Sequence, residues 1–222
     1  MGYILSIDTT TETAIIAISQ ENKVLAFSEN REQKEHASFI HITIQRLLTE
    51  LNISIAKMDA IAVSAGPGSY TGIRVGMATA KGLAYSLNIP LILLNTLELL
   101  ALSAIQWVEI PSDFYFCPMI DARRMEVFTA LYDDTLRVVL PPSAIIIDGT
   151  FLKDFPTDKK VIFTGSGSLK CKQILQLTDN RITDISISAE AMRSISNSKF
   201  LNKSFAALNK AQPLYIKKFF NG

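Results

Sequence analysis

The sequence predicts a mixed α/β fold of two related lobes, and three observations carry that prediction. Short β-rich runs open the chain as a meander, and strand and helix patterns then alternate. A strand, an Ile-Asp pair, a short polar turn with an acid and a second strand also occur twice, at Ile7-Asp8 and at Ile120-Asp121. Alternation calls for helices layered on largely buried strands. An ordered recurrence calls for duplication, with the second copy reduced. At 222 residues and 48% hydrophobic the chain has enough apolar surface for cores in both lobes, expected over 1–110 and 111–222.

Tyr3–Ile7 is a β-rich run that ends at the hydroxyl-rich turn Asp8-Thr-Thr-Thr-Glu12. Ala14–Ile18 and Val24–Ser28 continue as strands around the turn Gln20-Glu-Asn22. From Glu35 the period changes. Ile40, Ile44, Leu47, Leu48 and Leu51 recur at three and four residues, one face of a helix, while Phe39 and Ile42 lie off that face. Ala60–Val63 is a strand running into a glycine-rich loop, with a helix from about Gly72 to Leu87. A strand at Leu91–Leu94 and a helix over Leu97–Val108 follow. In the second half Phe114–Ile120 and Val127–Tyr132 read as strands around Asp121–Glu126. Val161–Ser168 repeats the passage from strand through glycine loop to helix. Leu136–Arg181 is otherwise the least defined stretch.

The segment Gly66-Pro-Gly-Ser-Tyr-Thr-Gly72 has the arrangement that can hold an anion on backbone N–H groups at a helix N-terminus. It lacks the lysine of a phosphate-binding P-loop, and its glycine spacing misses the dinucleotide fingerprint by one residue. Asp8 and Thr9, with Gly66 and Gly68, are candidates for one phosphate loop, and Asp121 with Arg123 for a second. Each also reads as a hydrogen-bonded turn. Gly72, Gly76, Ala80 and Ala84 are spaced by four along one helical stripe, with a further glycine at Gly82. A smooth stripe admits a close neighbour, either the chain's own sheet or a partner helix.

Other chemistries find little support. His36 and His41 are five residues apart, the wrong spacing for one helical face to bind a metal, so no metal site is expected. No Gly-x-Ser-x-Gly elbow supports a hydrolase, and no catalytic residue is assigned. Cys117 and Cys171 are distant and set in apolar surroundings, which fits free thiols in a reducing compartment. A net charge of +1 creates no global field toward nucleic acid, so any such partner meets local patches such as Lys153, Lys159 and Lys160, or Lys217 and Lys218. Asp8 interrupts the first apolar run, no membrane span or secretory signal is seen, and a cytoplasmic protein is expected.

Taken in order, Ile4-Leu-Ser-Ile-Asp-Thr-Thr-Thr-Glu12, His36 before a helix, Gly66–Gly76 with Gly82-Leu-Ala84, Ile120–Val127, Ser188-Ala-Glu190 and Pro213–Lys217 resemble the TsaB (YeaZ) family over nearly the whole chain. Tyr70 and Lys217 stand where that family commonly has Phe and Arg. The resemblance implies an actin-like ATPase fold, as in Hsp70 and sugar kinases. It implies a non-catalytic subunit for threonylcarbamoyl transfer to tRNA, with no cofactor of its own. Its implied partners are the catalytic paralogue TsaD, the small ATPase TsaE and, through the complex, tRNA; ATP or ADP and metal belong to those partner subunits. Self-pairing as a homodimer is implied when TsaD is absent. The implied docking surface is the two helices Ala37–Leu51 and Gly72–Leu87, with Phe39, Ile42 and the small-residue stripe in contact. The competing expectation is a phosphotransferase using Asp8, Gly66–Gly72 and Asp121 around Mg-ATP.

Overall fold

The computed structural model describes residues 2–32, 36–175 and 182–216. The side chains of His36, Cys171 and residues 173–175 are outside the described set. The first unit holds one five-stranded sheet. Strand β1 (Tyr3–Asp8) pairs antiparallel with β2 (Ala14–Gln20), which pairs antiparallel with β3 (Lys23–Asn30). On its other side β1 pairs parallel with β4 (Met58–Gly66), and β4 pairs parallel with β5 (Leu91–Asn95). The order is β3-β2-β1-β4-β5. β1 and β4 read as nearly continuous apolar runs because elements cover both faces. Helices α1 (His36–Glu50) and α2 (Tyr70–Leu87) pack against each other and on this sheet. Leu5, Ile7, Ile16, Ile18, Ile40, Leu47, Val63 and Met77 form the core between them.

The second unit repeats the plan. Strands β6 (Phe114–Asp121), β7 (Glu126–Tyr132) and β8 (Val138–Ile146) form the antiparallel part; β9 (Lys160–Thr164) and β10 (Ile182–Thr183) continue in parallel. The order β10-β9-β6-β7-β8 is that of the first sheet, strand for strand, with β6 in the place of β1. Helix α4 (Ser168–Leu175) follows β9 as α2 follows β4. No helix matching α1 lies between β8 and β9, which is where this copy is reduced.

Two features differ from the sequence expectation. The units are Met1–Thr96 with Ile187–Leu214, and Leu97–Ser186 with Tyr215–Gly222, so the chain does not divide once at residue 110. Helix α3 (Thr96–Trp107) lies almost wholly in the second unit, whereas α5 (Ala189–Leu201) returns to the first and packs on β1, β2, β3 and β5. Its buried face, with Ala191, Met192 and Ile195, covers that sheet. The stretch from Leu136, poorly defined in sequence, contains β8, whose Pro141 and Pro142 hide a strand. Prolines are tolerated there because β8 is an edge strand and its register with β7 shifts between Thr129 and Leu131.

Candidate functional site

β1 ends at Asp8, and the turn that follows folds back onto its carboxylate. Asp8 Oδ1 accepts the Thr10 backbone N–H at 2.9 Å, and the Thr10 hydroxyl lies 3.1 and 3.2 Å from the two carboxylate oxygens. Thr96 Oγ1 donates to Thr10 Oγ1 at 3.1 Å. Asp8, Thr9, Thr10 and Thr96 are all buried. Burial pushes the Asp8 carboxyl above its ordinary range, with the Thr10 hydrogen bonds opposing.

The glycine loop after β4 is laid on this turn. Gly66 and Gly68 have φ of +116° and +156°, a region that side chains rarely adopt. A Cβ at Gly68 would overlap the Thr10 carbonyl oxygen, and one at Gly72 would overlap that of Thr9. Ser69 N–H donates to Thr10 O at 2.7 Å, Thr9 Oγ1 donates to Gly72 O at 2.7 Å, and Gly72 N–H donates to Ser69 Oγ at 3.2 Å. An anion held at a helix N-terminus needs free N–H groups and an open approach. Here two carbonyl oxygens, which repel an anion, press against the first turn of α2. The residues of this loop do not fit a phosphate group.

The same closeness settles the small-residue stripe. A Cβ at Gly76 would stand 2.5 Å from Thr9 Oγ1, 3.6 Å from Val63 and 3.7 Å from Ile7. Ala80 and Ala84 are buried in the core of the same unit. Gly72, Gly76, Ala80 and Ala84 therefore face the chain's own sheet, not a partner, because small side chains let α2 sit close on β1 and β4. Phe39 is likewise half-buried against that core. Of the expected docking residues Ile42 is the exposed one, at 67%. The outward side of α2 carries Arg74, Ala78, Gly82 and Tyr85, with nothing within 4 Å of a Cβ built at Gly82. The spacing already separates the two glycines, since Gly82 is six residues from Gly76 and hence off its stripe, but it does not say which side faces out.

In the second unit Asp121 repeats the geometry of Asp8. Its Oδ1 accepts the Arg123 backbone N–H at 2.6 Å, two residues on, and also Lys170 Nζ at 2.6 Å. The second glycine loop lies on β6 as the first lies on the Asp8 turn. A Cβ at Gly165 (φ +89°) would stand 2.5 Å from Met119 O, which accepts Gly167 N–H at 3.0 Å. Asp121, unlike Asp8, is exposed.

A family model described as "TsaD: tRNA N6-adenosine threonylcarbamoyltransferase" matches residues 28–213. A Bacillus subtilis (strain 168) protein described as "tRNA threonylcarbamoyladenosine biosynthesis protein TsaB" is 32% identical over 176 residues, 78% of this chain and 75% of the relative. The chain belongs to the TsaB family. TsaB of Escherichia coli (strain K12) is 36% identical over 129 residues, which span 58% of this chain and 54% of that protein. YeaZ from Pseudomonas aeruginosa superposes with a TM-score of 0.82 over 97% of this chain and 100% of that one, at 24% identity. The ethanolamine utilization protein EutJ from Carboxydothermus hydrogenoformans gives 0.52 at 8% identity, over 87% of this chain and 90% of that one. Together with the duplicated sheets, these likenesses make the fold the actin-like ATPase fold.

The remaining candidates of this TsaB-family chain are dispersed. His41 is exposed on α1, and among the described residues no group of three His, Cys, Asp or Glu side chains is placed to hold a metal ion. Cys117 is buried with its Sγ 3.2 Å from Thr129 Oγ1. Lys159 pairs with Asp134 at 3.3 Å and lies 5.5 Å from the Tyr115 ring centre. It lines an open groove of about 780 Å³ with Phe114, Leu152 and Phe155. Lys217 and Lys218 lie outside the described residues. No helix among the described residues is long and apolar enough to cross a membrane.

Proposed function

We propose that this chain acts in tRNA threonylcarbamoyladenosine biosynthesis as a non-catalytic subunit that binds and orders the catalytic paralogue TsaD. The kinship with proteins named for that pathway supports the setting. The observation that carries the role is the contrast between the two sides of α2. Inward, its N-terminus is closed by the Thr9 and Thr10 carbonyls. Outward, α2 and its neighbour α1 expose Ile42, Ala78, Gly82 and Tyr85, a low and partly apolar surface suited to close helix packing. Docking is thus assigned to the outer faces of Ala37–Glu50 and Tyr70–Leu87. TsaE joins the assembly, tRNA is met through it, and a second copy takes the same surface when TsaD is absent. Nucleotide and metal chemistry belong to the partner subunits.

The test is titration of TsaD with the Ile42→Glu, Gly82→Leu double variant. Both positions are exposed, so the fold should survive. The dissociation constant is expected to rise at least about tenfold, as a few buried contacts usually dominate an interface, with a melting temperature no lower than that of wild type. Unaltered association sinks the docking surface. Magnesium-dependent ATP turnover by the isolated chain instead favours the phosphotransferase reading.

A further inference from the structure

We infer that the β6–β7 hairpin tip, Arg123 with Arg124, grips RNA phosphate when tRNA is engaged; this rests on the tRNA-modification reading above. Both residues are left-handed, with φ of 72° and 50°. Asn or Gly adopts that conformation with little strain, and an exposed hairpin tip leaves room for either. Among the described residues the other left-handed non-glycine positions, Glu21, Asn52, Asn88, Leu136 and Lys203, occur singly. Two consecutive strained arginines point to a use for their side chains that outweighs the conformational cost.

The surroundings hold the tip in this shape and leave its charges uncompensated. Asp121 Oδ1 accepts Arg123 N–H at 2.6 Å, and Asp121 N–H donates to Ser166 Oγ at 3.2 Å. Ala122 N–H donates to Glu126 O at 3.1 Å, Glu126 N–H to Arg123 O at 3.1 Å, and Ile147 N–H to Met125 O at 2.8 Å. The nearby carboxylate of Asp121 is already taken by Lys170 at 2.6 Å. Both arginines are exposed, and among the described residues neither guanidinium has a hydrogen-bond or salt-bridge partner. Two adjacent forks of N–H donors match the oxygens of a phosphodiester. The neighbouring tip residue Met125 is also exposed, so the tip has no enclosure for a base or a ribose. That favours the backbone of an RNA over a free nucleotide.

The decisive experiment measures binding of an unmodified tRNA transcript, as a function of salt, by the full chain alone and mixed with TsaD. Two variants are compared with wild type: Arg123→Ala with Arg124→Ala, and Arg123→Asn with Arg124→Gly. The second pair relieves the backbone strain, so it should melt higher than wild type while still losing RNA. Each is expected to weaken binding about tenfold and to flatten the log–log salt slope by about 1.4–1.8, the value for two phosphates. Wild-type affinity and slope in the Asn-Gly variant overturn the tip assignment alone. Failure of the wild-type mixture to bind tRNA overturns the tRNA reading with it. If the variants instead lose Mg-ATP binding and keep RNA, the tip is a nucleotide site and the inference fails.

Discussion

Gly72 and Gly82 occupy one helix and face opposite consequences. A methyl group at position 72 collides with the Thr9 carbonyl, in a turn that the Ser69 N–H to Thr10 O and Thr9 Oγ1 to Gly72 O hydrogen bonds hold in place. Gly72→Ala is expected to cost about 2 kcal/mol or more, within the range for overpacking. Position 82 is open, so Gly82→Ala should gain about 0.5–1 kcal/mol from helix propensity. Urea unfolding of the two variants reads both effects, and equal shifts would contradict the packing described. Asp8 makes a prediction of another kind. Burial raises its pKa in the fold above the unfolded value. Its contribution to stability is therefore fully present below the unfolded pKa and is lost as pH rises through the folded pKa. Asp8→Asn keeps an acceptor for the Thr10 N–H and removes the titration. The variant's stability advantage should grow as pH rises from the ordinary carboxyl range through the folded pKa of Asp8; curves for variant and wild type that stay parallel from acid to neutral pH would rule this out.

Elements with strong periodicity were legible. The meander, α1, the β4–α2 junction and both Ile-Asp turns follow from apolar spacing and turn chemistry, and the duplicated sheet order makes the recurrence structural. β8 escaped because two prolines argue against a strand unless its edge position is known. α5 escaped because Ser194, Ser196 and Ser198 dilute its apolar pattern; its start is set by Ser188 Oγ accepting Ala191 N–H at 3.0 Å. The direction in which the small-residue stripe of α2 faces depends on a tertiary contact with Thr9, and local sequence does not encode that. Between β7 and β8, Asp133 illustrates how a turn is fixed. Burial opposes its ionisation, but hydrogen bonds from Thr135 and Arg137 prevail and lower its pKa. The carboxylate thus stabilises the fold above its unfolded pKa, and that contribution disappears as pH falls through the folded value. Asp133→Ala should cost about 1–3 kcal/mol at neutral pH, with the loss shrinking in acid.

At the scale of the molecule, sequence order and spatial unit disagree. The first unit spans Met1–Thr96 but lacks one cover of its sheet until α5 arrives. A chain ended after Ser186 should leave β1, β2, β3 and β5 uncovered on that side. The expected result is loss of the cooperative unfolding transition of the first unit, followed through Tyr3, Tyr70 and Tyr85 or by hydrogen exchange of β1 and β4. Retained protection in β1 and β4 would show that α5 is dispensable. The return of α5 also has a consequence for synthesis. The stretch Leu97–Ser186 leaves the ribosome as one piece, whereas the earlier-made residues wait for Ile187–Leu214 before their sheet is covered. Such long-range closure is slow. The nascent amino-terminal segment therefore spends most of its translation time with an apolar sheet face exposed, and during that interval it is the natural client of a chaperone.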